Sequence, residues 1–138
     1  LIWALNVSLG QILAEGMDAR FKRHRRVSRA VKAAVAALGM GQVPARAELA
    51  ANTLTAPYFP DGVDRSVLGH IKEAGVMLAG GLHPEIKSRY FRIGHMGVVN
   101  QSDVMATISA VEQGLAEAGH QFEVGTGMAA AQQAWVRA

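Results

Sequence analysis

Arg92 is the residue whose placement most needs a chemical explanation. It lies within Tyr90-Phe91-Arg92-Ile93-Gly94, where the flanking aromatic and β-branched residues spell out an apolar strand. A guanidinium in such a setting is costly unless an anion meets it. Two anions would serve. One is a carboxylate of the same fold, which makes Arg92 half of a structural ion pair; the other is the carboxylate of a bound small molecule. Position alone leaves both open.

The remaining reactive residue types do not assemble into a catalytic set. The lysines are Lys22, Lys32, Lys72 and Lys87, all in helical or polar-loop stretches where solvent keeps an amine charged and a poor nucleophile. None is marked as a Schiff-base lysine. The histidines, His24, His70, His83, His95 and His120, show no paired spacing that would load a metal on one helix face, so no metal site is expected. His95, between Gly94 and Gly97, could touch a ligand or be a satisfied structural histidine. Ser, His and Asp all occur, but the Gly-x-Ser-x-Gly elbow does not. Gly80-Gly81 has the spacing of neither a dinucleotide fingerprint nor a P-loop, and reads as a tight turn. No catalytic residue is assigned in this chain.

Basic residues crowd one stretch: Arg20, Lys22, Arg23, His24, Arg25, Arg26 and Arg29. They flank a hydrophobic stripe, and the one aromatic nearby, Phe21, is expected on the buried face. That arrangement suits a solvated or subunit-contacting helix face better than a nucleic-acid surface, which needs stacking partners and density on one side. No nucleic-acid partner is expected.

These groups must be positioned by a domain of ordinary size, since 138 residues leave room for one hydrophobic core. The absence of cysteine rules out a disulfide framework or a thiolate metal site and favours an intracellular setting, with cytoplasm, peroxisome and mitochondrion left open. The most apolar stretch, Leu1 to Leu13, is interrupted by Asn6, Ser8, Gly10 and Gln11 and carries neither a membrane span nor a signal peptide. It starts abruptly, without a helix cap, as though continued from something longer.

Residues 1–39 carry apolar positions at three- and four-residue steps, from Leu5, Leu9, Leu13, Met17 and Phe21 to Val31, Val35 and Leu38. They predict one long helix of about 50 Å, with Gly10 and Gly16 as bend points, running into another domain. Residues 40–122 predict a small α/β domain. It has a strand over 52–58, a short helix opened by Asp64, a buried strand over 76–79, the Arg92 strand over 90–95, and a helix capped by Ser102 and stopped by Gly119. Residues 123–138 form a tail that could hold a last helix around Met128 and Trp135. The fold class is α+β: a small, mostly antiparallel sheet with helices on one face, preceded by the long interdomain helix.

The segment Tyr90-Phe91-Arg92-Ile93-Gly94-His95-Met96-Gly97 resembles the carboxylate-binding strand of the alanine:glyoxylate and serine:pyruvate aminotransferases, class V enzymes of fold type I that use pyridoxal 5'-phosphate. Glu15-Gly16-Met17 leading to Arg23-His24, Pro60-Asp61-Gly62-Val63-Asp64, and Ala79-Gly80-Gly81-Leu82 follow in family order. The resemblance implies that this chain is the carboxy-terminal small domain. Arg92 then matches the arginine that grips the substrate α-carboxylate, and the cofactor with its lysine lies in a large amino-terminal domain absent here. It further implies amino-acid and keto-acid substrates, alanine or serine giving its amino group to glyoxylate or pyruvate, and a homodimer. A free-standing small-molecule-binding or regulatory domain is the alternative, since a small sheet backed by helices is also a common effector-binding plan.

Overall fold

A computed structural model describes residues 1–137. The amphipathic stretch at the start forms two helices rather than one: α1 (Ile2–Glu15) and α2 (Met17–Ala37). The break is Gly16, at φ 80° and ψ 141°, a backbone conformation that side chains rarely adopt and that no helix can propagate through. Gly10 stays inside α1. The expectation of a single helix over 1–39 is therefore corrected, because Gly16 interrupts it outright.

Next come a 3₁₀ turn at Ala47–Leu49, β1 (Leu54–Thr55), α3 (Val67–Glu73), β2 (Ala79–Gly80), β3 (Phe91–Gly94), α4 (Gln101–Glu117) and α5 (Thr126–Val136). The strands form one antiparallel sheet in the order β1-β3-β2, with Thr55 opposite Ile93 and Ala79 opposite Arg92. The α+β class with a small antiparallel sheet is what the sequence predicts. The strand expected over 76–79 is shorter and less buried than foreseen: only Ala79 and Gly80 pair, and Ala79 is exposed, because β2 is a sheet edge.

The core lies between the sheet and the helices. Val27, Val31, Ala34 and Val35 of α2, with Leu38 just after it, meet Val104, Ile108, Val111 and Leu115 of α4, with Val67 and Ile71 of α3 and Phe91 and Ile93 of β3 completing it. Helices can approach this closely because of small residues. A Cβ on Gly114 would come within 2.5 Å of Ile71 Cγ1 and 3.0 Å of its backbone nitrogen, so only glycine lets α3 and α4 touch. The last segment is structured: α5 packs on α2 and α4, burying Ala131.

Two cap assignments change. Asn100, not Ser102, caps α4: its side chain accepts from the amides of Ser102 and Asp103, and Asp103 accepts from the Asn100 amide in return. Asp64 sits one turn ahead of α3, accepting from the Ser66 amide at 2.8 Å, while Ser66 is the residue that flanks the helix. Among the described residues, no helix is long and apolar enough to cross a membrane.

Candidate functional site around Arg92

The pleat of β3 sorts its residues by face. Phe91 and Ile93 are buried in the core, with Phe91 stacked on Phe59 at 5.4 Å between ring centroids, so Arg92 and Gly94 point to the opposite side. Their cross-strand partners there are Ala79 and Leu54. There is room beside Gly94: a Cβ on it would meet no atom within 4 Å.

Arg92 is only half-buried, and its Nε donates to the Gly80 carbonyl at 2.8 Å. That bond anchors the base of the guanidinium to the neighbouring edge strand. The two Nη groups have no partner among the described residues, and no carboxylate there pairs with Arg92. Of the two anions the sequence allows, the structural one is not found among these residues. What remains is a fixed, forked donor over an open sheet face, a geometry suited to a planar carboxylate.

The chain leaving β2 is packed closely against Tyr90 and Lys87. A Cβ on Gly81 would stand 2.5 Å from Tyr90 Cε1 and 2.7 Å from the Lys87 carbonyl. The Tyr90 hydroxyl accepts from the amides of His83 and Leu82 at 3.1 and 2.9 Å, and these donors lower its pKa. The tight turn expected at Gly80-Gly81 is corrected: Gly80 pairs with Phe91 in β2, Gly81 continues the pairing by donating to the Tyr90 carbonyl at 3.0 Å, and the turn follows over 84–88. Gly80 presents the carbonyl that steadies Arg92.

Beyond β3, the chain is held by α2. Arg23 donates through Nε and Nη2 to both carboxylate oxygens of Glu15, at 2.6 and 2.8 Å, and through Nη1 to the carbonyls of Gly97 and Val99 at 2.7 and 3.3 Å. Arg20 reaches the same carboxylate at 2.9 Å. The Arg23 hydrogen bond above all, with Arg20, holds Glu15 down to about 2. One side chain therefore ties the helix break at Gly16 to the loop that follows Arg92, a link that neither segment reveals alone.

His95 is buried but only half satisfied. It is 2% exposed, with Nε2 2.9 Å from Thr55 Oγ1 and Nδ1 without a hydrogen-bond partner; burial pushes its pKa down to about 4. The pair fastens the end of β3 to β1 behind Arg92. His70, Glu73 and Glu117 bring possible ligand atoms within 4.8 Å of one another on the surface of α3 and α4, with His70 Nδ1 3.1 Å from Glu117 Oε2. His70 and Glu73 lie one turn apart on α3, and the α3–α4 packing brings Glu117 to them from another helix. Phe21 is corrected: it is 53% exposed, since the stripe that buries Val27 onward has no cover ahead of it among the described residues.

No family model matches the chain. It is 35% identical over 134 residues to an L-aspartate–glyoxylate aminotransferase of Paracoccus denitrificans, covering 96% of this chain and 34% of that protein. A serine–glyoxylate aminotransferase of Arabidopsis thaliana is 32% identical over 135 residues, covering 95% and 33%. A pyridoxamine–pyruvate aminotransferase of Mesorhizobium loti, solved as a crystal structure, superposes with a TM-score of 0.89 at 31% identity, over 96% of this chain and 34% of that one. The chain thus spans about a third of the length of the relatives it matches. With its α+β fold and the Phe91-Arg92-Ile93-Gly94 strand in place, this chain is similar in sequence and in fold to about a third of such aminotransferases.

Proposed function

We propose that this chain is the substrate-carboxylate-binding small domain of a pyridoxal-phosphate aminotransferase, moving an amino group from alanine or serine to glyoxylate or pyruvate. The observation that carries the reading is Arg92: anchored through Nε to Gly80, it offers both Nη groups on an open face with no carboxylate of its own among the described residues. Two parallel charge-assisted bonds to an α-carboxylate would fix one end of the amino acid, and with it the direction of its α-nitrogen and Cα–H bond. Orientation of this kind lowers barriers by several kcal/mol without any bond-making by the arginine itself.

The cofactor is assigned to the other two thirds of the protein. The lysines here do not suit it: Lys32 is half-buried with its Nζ bound to the Ala51 carbonyl at 2.8 Å, and Lys22, Lys72 and Lys87 are exposed. Pyridoxal phosphate, when bound there, supplies the electron sink that the chemistry needs. On this reading the chain is not catalytic by itself. Its exposed α1 face, with Ile2, Trp3, Leu5 and Leu9, is where the large domain or the second subunit of a homodimer would seat.

Arg92→Ala in the full-length enzyme tests the assignment. Losing two charge-assisted bonds, each worth about 1.5–3 kcal/mol, should lower kcat/KM for the amino donor by roughly 100-fold or more. Arg92→Lys, which keeps the charge without the fork, should recover only part of it. Unchanged kcat and KM in Arg92→Ala would remove Arg92 from the role.

A further inference from the structure

A second basic feature lies away from Arg92. A cavity of about 630 Å³ opens between α2, the start of α4 and the end of α5, lined on the α2 side by Lys22, Arg25, Arg26 and Arg29 and on the other by Gln101 and Trp135. The four cations recur at helical spacing, so they stand along one side of α2 over about 10 Å. Arg26 lies over the Trp135 ring, 5.8 Å from its centroid, which ties the basic wall to the aromatic one.

Glu15 takes Arg20 and Arg23, the second of which also lines this groove. Lys22, Arg25 and Arg29 have no carboxylate partner among the described residues. Like charges at three- and four-residue spacing repel one another, a cost that an anion seated between them would relieve. The volume falls in the range of small-molecule sites. One aromatic wall and a basic stripe this short offer little to a duplex or to a run of stacked bases.

We infer that this groove binds a small polyanion carrying two or more phosphate or carboxylate groups, spaced to meet successive turns of α2, at a site separate from Arg92. Arginine forks would take such groups bidentately and Lys22 would meet one as a point charge. The source of the anion is settled by comparing probes of both kinds.

The experiment is calorimetric titration of the full-length protein with inorganic tripolyphosphate and, separately, with citrate, at two salt concentrations. Saturable binding is expected, weakening as salt rises. The triple variant Lys22→Gln, Arg25→Gln, Arg29→Gln should weaken it by roughly tenfold or more, each lost charge-assisted contact contributing. Lys72→Gln, on α3, is the control and should bind as the parent does. The tighter probe names the chemistry. No binding at low salt, or equal binding by parent and triple variant, overturns the inference. So does a DNA duplex that binds the parent more tightly than either small anion. Circular dichroism of the triple variant guards against misfolding. Should it not fold, Arg25→Gln alone, on an exposed position, carries the same comparison.

Discussion

An imidazole that is 2% exposed with one ring nitrogen unpartnered makes folding sensitive to acid. Unfolded, His95 takes its proton near pH 6.5; folded, burial lets it do so only near about 4. Between those values the unfolded chain binds the extra proton, so stability is full above pH 6.5 and falls as the pH drops toward 4, by about 3 kcal/mol in all. Urea midpoints measured from pH 7.5 to 4.5 should show this slope, and His95→Leu should flatten it. Glu15 loses stability only as the pH falls from 4.5 toward 2, below most of that window. An unchanged slope in His95→Leu would assign the acid sensitivity elsewhere. At this scale the sequence was legible where chemistry was local. An arginine between Phe91 and Ile93 declares a need for an anion, whereas the burial of His95 beneath β1 and α2 depends on packing that no local pattern encodes.

At the scale of elements, the least visible device is Glu112. It lies on the buried side of α4, 6% exposed, and accepts hydrogen bonds from the amides of Gly125, Gly127 and Met128 at 2.9, 2.7 and 3.1 Å. Helix α5 is thus capped by a carboxylate from another helix, satisfying amides that its own N-cap residue, Gly125, cannot serve. Glu112→Ala strands these donors in the interior and should cost about 2–4 kcal/mol, while Glu112→Gln, keeping one acceptor oxygen, should cost less. Trp135 reports on α5, so the loss should appear in its fluorescence during denaturation. Equal stability of parent and Glu112→Ala would sink the idea. The amphipathic periods of α2 and α4 were readable because 3.6-residue spacing survives any context, and Gly119 stopped α4 as expected. Caps were read less well. Ser102 is a good capping type, but Asn100 forms the reciprocal box with Asp103, and choosing between two capping residues takes backbone geometry. Likewise, periodicity carries straight across Gly16, since a turn of positive φ does not disturb the order of apolar residues.

For the whole molecule, the telling asymmetry is that α2 from His24 onward is buried on its apolar side while α1 buries no residue at all. Ile2, Trp3, Leu5, Leu9 and Leu13 are 83%, 85%, 58%, 47% and 78% exposed, and Met17 and Phe21 extend the apolar surface across the break. Covering a side chain of this kind is worth about 1.5–3 kcal/mol, so leaving several in water strongly favours whatever partner can close over them. The chain produced by itself should therefore self-associate, and sedimentation velocity should show dimers or larger species whose fraction rises with concentration. Leu5→Lys with Leu9→Lys should shift it toward monomer while leaving the α2–α4–α5 core intact, because that core takes nothing from α1. A parent chain that stays monomeric at high concentration would mean that α1 folds back to cover its own apolar side. Burial of Trp3 would then show as a blue-shifted emission, lost in the double variant.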